Sequence, residues 1–130
     1  NTELLFTRFI EAYHDTTLRN RAYFELGSYY FRKNKMVNTV EWYEKVDTKE
    51  LANDELIEYK FNFGYAYFKR KKFDQAKPLL RSIKDAKHSY SEPANYYYGF
   101  ITFYQENYKE AEKSFIKLIY TGFTLVFGFQ

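Results

Sequence analysis

The sequence predicts an all-α chain in which antiparallel helix pairs stack into a solenoid. Three observations predict it. First, a glycine word recurs: Leu26-Gly27 with Thr39 and Tyr43, Phe63-Gly64 with Ala76 and Leu80, and Tyr98-Gly99 with Ala111 and Phe115. The glycines stand 37 and 35 residues apart, yet each keeps its partners 12 and 16 residues downstream, so length varies only between the words. Second, apolar residues follow a period of about 3.6 through both halves of each word. Third, the polar triplets Lys33-Asn34-Lys35, Arg70-Lys71-Lys72 and Gln105-Glu106-Asn107 divide the halves, and each is followed by a large apolar residue, Met36, Phe73 or Tyr108.

Taken in order, Glu3 to about His14 places Leu4, Leu5, Phe9, Ala12 and Tyr13 on one helical face. Within residues 1–16 this is expected to be the second helix of a truncated preceding repeat. The first full repeat, 20–50, is expected to hold helices at about 20–33 and 36–46. The second, 54–88, holds helices at about 54–70 and 73–86, with Asn53 or Asp54 as cap. The third, 92–120, holds helices at about 92–105 and 108–119, opened by Ser91-Glu92-Pro93 as cap and first turn. These sum to about seven helices. The tail 121–130, TGFTLVFGFQ, is apolar, follows neither the helical period nor a fourth repeat, and has no assigned element.

Composition narrows the class. With 45% apolar and 23% aromatic residues, 130 residues can bury a core, and 2 prolines and 5 glycines leave no linker, so one continuous array is expected over 1–120. There is no cysteine, hence no disulfide, thiolate metal site or cysteine nucleophile. No stretch reaches the roughly 18 apolar residues of a membrane span, and no leader pattern opens the chain, so no membrane insertion of this segment is expected. The start at Asn1 rather than Met fits a piece of something longer. A net charge of +3 from 20 basic and 17 acidic residues is too mixed to demand a polyanion.

The recurrent residue types have a packing reason. Helices approach closely where one lacks a side chain and the other carries a small one, so Gly27, Gly64 and Gly99 are expected opposite Thr39, Ala76 and Ala111. A mid-helix glycine costs about 0.5–1 kcal/mol relative to alanine, which the closer packing must exceed. Tyr30 and Tyr67, with Thr102 in the third slot, and the groups Tyr43, Leu80 and Phe115 fill the space around the contact.

This spacing resembles the tetratricopeptide repeat over roughly 20–120, most fully in the second repeat with Phe63-Gly64, Tyr67, Phe73, Ala76 and Leu80. Thr39 in a small-residue slot, Thr102 in a tyrosine slot and longer links between repeats depart from it. The stretch from Phe9 to Tyr30 is also similar to repeat modules of bacterial cell-envelope proteins, including those that bind the Tol system. The resemblance implies a right-handed α-solenoid and a non-catalytic scaffold for a protein or peptide partner. It also implies a periplasmic or envelope location, with a cytosolic adaptor as the alternative.

In that family the concave groove is lined by the first helix of each pair. The matching positions imply a partner-binding groove of Phe24, Ser28 and Phe31, then Phe61, Asn62, Tyr65, Phe68 and Lys69, then Tyr96, Tyr97, Phe100 and Tyr104. The family's carboxylate clamp is not expected, because only Asn62 matches it, against Phe24, Ser28, Pro93 and Tyr97. The dense basic run Lys69-Arg70-Lys71-Lys72, with aromatics nearby, supplies the alternative of a single-stranded nucleic-acid-binding repeat, but solvated turns carry such runs more often. His14 and His88 have no partners at metal spacing and no phosphate loop or nucleophile motif occurs. No enzyme, cofactor, metal site or specific nucleic acid is therefore expected.

Overall fold

The computed structural model describes residues 1–127, with side chains through Thr121. Seven α-helices follow in order: α1 (Thr2–Ala12), α2 (Thr16–Arg32), α3 (Met36–Tyr43), α4 (Asn53–Lys69), α5 (Phe73–Arg81), α6 (Ser91–Tyr104) and α7 (Tyr108–Phe127). A 3-10 turn, Thr48–Glu50, lies between α3 and α4. The described residues contain no strand, and the fold is all-α. Each helix packs on the next in the chain, while α2 also meets α4 and α4 meets α6.

The three polar triplets build one turn three times. Asn34, Lys71 and Glu106 sit at the same offset from their glycines and all adopt left-handed backbone, φ 59°, 60° and 63°. The N–H groups of Lys35, Lys72 and Asn107 donate to the carbonyls of Tyr30, Tyr67 and Thr102 at 2.9, 2.8 and 2.7 Å. Those of Asn34, Lys71 and Glu106 donate to Phe31, Phe68 and Phe103 at 2.9, 2.9 and 3.0 Å. This pair of bonds satisfies the last carbonyls of α2, α4 and α6 and turns the chain back at once.

The glycine notches are filled differently from the expectation. Thr39, Ala76 and Ala111 are buried, but the group that enters each notch is the larger residue one turn on. A Cβ at Gly64 would lie 3.0 Å from Leu80 and one at Gly99 would lie 2.8 Å from Phe115, while one at Gly27 would overlap the Tyr43 ring. Helical side chains lean toward the N-terminus, so each covers the surface one turn before its own Cα. Thr102, the departure from the tyrosine slot, is fully buried and donates to the carbonyls of Tyr98 and Gly99 at 2.9 and 3.1 Å.

Among the described residues the buried apolar groups gather into two clusters. One joins Phe24, Val40, Tyr43, Tyr59, Phe63 and Ala66; the other joins Phe61, Ala76, Leu80, Ile83, Ala94, Tyr98 and Ile101. Trp42, the single tryptophan, stacks on Tyr23 with ring centres 6.2 Å apart, and the Lys45 ammonium lies 5.8 Å from its ring centre.

Several expected ends move. The helix expected to reach 86 stops at Arg81, with Ser82 Oγ donating to the Leu79 carbonyl at 2.7 Å. Pro78 removes one amide from that helix, and Ile83, which prolonged the apolar pattern, is a buried residue of the link instead. Likewise α3 stops at Tyr43, short of 46. The cap of α4 is Ala52 rather than Asn53 or Asp54, its N–H held by the Glu55 carboxylate at 3.0 Å. Ser91 is the first residue of α6 rather than its cap, and its hydroxyl donates back to Ala86.

Buried amides fasten the links. Asn20 takes the Asp47 N–H at 2.6 Å and donates to the Asp47 carbonyl at 3.0 Å, and Asn95 donates to the Lys84 carbonyl at 2.7 Å. At the other end, α7 passes through the tail that had no assigned element and runs to Phe127, because no proline interrupts its backbone ladder. Positions 128–130 lie outside the described residues. No residue of α1 is buried; Leu5, Phe6 and Phe9 line a cleft of about 330 Å³ against Leu18 and Ala22 of α2.

Candidate functional site

The twelve expected groove residues lie on α2, α4 and α6, and burial divides them. Phe24, Ser28, Phe61 and Asn62 are buried, so these four belong to the contact between helices and not to an open groove. Phe31, Tyr65, Phe68 and Tyr97 are half-buried, while Lys69, Tyr96, Phe100 and Tyr104 are exposed.

The buried polar members form a knot. Tyr43 Oη shares a 2.7 Å hydrogen bond with Ser28 Oγ and accepts from Asn62 Nδ2 at 3.1 Å, and Ser28 Oγ also reaches Glu58 at 3.3 Å. Burial pushes the Tyr43 phenol up to about 12, against the opposing pull of the Ser28 and Asn62 bonds. Tyr59 donates to the Tyr43 carbonyl at 3.1 Å, and burial holds its phenol at about 12 as well. Ser28 and Asn62 are thus occupied inside the molecule by Tyr43, which explains why their helix positions alone, matched to a groove, misplace them.

From the half-buried residues outward the rings make a continuous wall. Tyr65 and Tyr97 meet at 5.0 Å, Phe68 and Tyr97 at 4.8 Å, Phe68 and Phe100 at 5.3 Å, and Phe73 and Tyr104 at 5.2 Å. Burial, then Tyr65, raises the Tyr97 phenol above its ordinary value. On α6 the wall surfaces as Tyr96, Phe100 and Tyr104, 51%, 42% and 67% exposed and one helical turn apart. Phe103 and Tyr108 stand exposed beside it, rings 5.4 Å apart.

Phe73 is a site residue that the groove positions omit. Its place after the turn marks it as a helix start, yet it closes a depression of about 390 Å³ with Phe68, Phe100, Tyr104, Lys69 and Lys71. The recurrence of a large apolar group at that offset was the available signal.

Charge on the neighbouring surface is mixed. Arg21 of α2 binds Glu55 of α4 at 2.6 Å and Glu25 at 3.5 Å; the bond from Arg21 is the main cause holding the Glu55 carboxyl below its usual range. The exposed run Lys69 to Lys72 forms no ion pair among the described residues. Among those residues no group of three or more His, Cys, Asp and Glu could hold a metal ion, and no helix is long and apolar enough to cross a membrane. His88 instead ties a link: its ring nitrogens contact the Ile83 carbonyl at 2.8 Å and the Tyr90 N–H at 3.1 Å. Comparison with family models, characterised proteins and solved structures finds no match to this chain.

Proposed function

We propose that the chain is a tetratricopeptide-like solenoid of right-handed twist acting as a non-catalytic scaffold, and that it holds a segment of a partner protein against α6. The observation that carries this is the stripe Tyr96, Phe100 and Tyr104, three large rings left in solvent on one helix face and backed by packed rings from α4. Contiguous aromatic surface of this kind is what binding anchors are made of, since each ring removes a large area from water at little conformational cost. The envelope setting rests on the similarity carried by the stretch from Phe9 to Tyr30.

The test is retention of proteins from a native lysate by immobilised wild-type chain and by the double variant Tyr96→Ala with Tyr104→Ala. Both residues are exposed, so helicity and melting should stay close to wild type. The variant is expected to lose the proteins that the wild type retains; equal retention overturns the reading. Substituting Phe61 would probe the core instead, as that ring is 8% exposed.

A further inference from the structure

The depression beside the α4–α5 turn joins two features that point to one kind of occupant. It is lined by Phe68, Phe73, Phe100 and Tyr104 together with Lys69 and Lys71. Arg70 and Lys72 adjoin them, giving four consecutive exposed cations with no ion pair among the described residues. The neighbouring acids Asp74 and Glu44 accept from Gln105 at 3.1 Å and Tyr67 at 3.2 Å and form no ion pair with the run, so four cations stand against two carboxylates. Unpaired like charges on adjacent residues leave a local positive potential, which a carboxylate relieves.

We propose that this depression receives a short acidic segment of a partner protein, one apolar or aromatic side chain entering between the rings while flanking Asp or Glu residues meet the lysines. The inference rests on the scaffold reading and names the chemistry of its partner. The run of cations ends at the turn: farther along, α2 and α4 carry Glu25, Glu55 and Glu58, of which the first two share the one cation Arg21. A polyanion following those helices would run from lysines onto carboxylates, whereas a short acidic segment ends before them. The rings also meet edge to face, 82° between Phe68 and Phe100 and 66° between Phe73 and Tyr104, forming a slot for a side chain rather than parallel platforms for bases.

The test is fluorescence anisotropy with three labelled probes of equal length: a peptide of Asp and Glu residues carrying two Phe, its twin with Asn and Gln for every acid, and oligothymidylate. The acidic peptide is expected to bind, to weaken as salt rises, and to lose about tenfold in affinity in Lys69→Glu and again in Phe100→Ala. Arg8→Glu on α1 changes net charge equally and is expected to leave binding unaltered. Circular dichroism and melting confirm that each variant is folded. Equal binding of the neutral twin with no effect of Lys69→Glu overturns this inference while leaving an aromatic protein-binding face in place. Tighter binding of oligothymidylate, weakened by the same substitutions, overturns it in favour of a nucleic acid. Failure of every probe at high protein concentration also overturns it.

Discussion

The left-handed turn residues carry a readable cost. A side chain at φ near 60° is disfavoured relative to glycine by about 1 kcal/mol, less for asparagine, and Lys71 and Glu106 occupy that conformation in solvent. Replacing either by glycine is therefore expected to raise stability by about 0.5–1 kcal/mol, and Asn34→Gly by less, read from urea midpoints; unchanged or lowered midpoints for Lys71→Gly and Glu106→Gly contradict the assignment. The buried phenols give a second expectation. Tyr43 and Tyr59 are held at about 12 by burial, whereas an unfolded chain ionises tyrosine near pH 10. Their contribution to stability is thus whole below about pH 10 and is lost as pH rises through about 12. Tyr59→Phe should make that alkaline decline shallower, measured by denaturant unfolding across the range, and an equal decline would count against it. The polar triplets were legible as turns, but their conformation was not, because none of the three carries the glycine that signals it.

At the scale of elements, the notches make the glycines unequal. The Tyr43 ring that fills the Gly27 notch is fixed by Ser28, Asn62 and the rings of Phe24, Tyr59 and Phe63. Leu80 at Gly64 is a more pliant neighbour. Gly27→Ala is expected to lower stability by about 1–3 kcal/mol through overpacking, and Gly64→Ala by less, because helix propensity returns up to about 1 kcal/mol; the reverse order of melting temperatures refutes the packing account. Pro78 lies inside α5 and is exposed, so Pro78→Ala restores an amide donor and should stabilise α5, read from helicity and melting. Helix number and starts were largely legible because glycine, turn triplet and apolar period agreed. The ends of α3 and α5 and the course of α7 were not: Val46 and Ile83 continue the pattern into links, and a helix can proceed through a tail that has no amphipathic period.

For the molecule as a whole, the groove was legible as a set of helix positions but not as a surface. Ring composition in α2 and α4 resembles that in α6, yet Phe24, Ser28 and Asn62 are taken out of solvent around Tyr43, and Phe61 against α5 and α6, so that of these three helices α6 alone leaves expected groove rings exposed. Which rings a neighbouring helix covers is a tertiary property that one-dimensional spacing does not contain. Ile101, fully buried in the second cluster, tests the division of the core: Ile101→Ala is expected to cost about 2–5 kcal/mol. Trp42 gives that loss a directional readout. The lone indole reports from the α2–α3 end, while backbone ellipticity averages over every helix, so a lesion placed near α6 should let the ellipticity fall before the emission changes. Two spectroscopes trained on one sample then watch the two ends melt separately, and superimposed curves would mean the ends are tied together more tightly than their neighbour-to-neighbour packing implies.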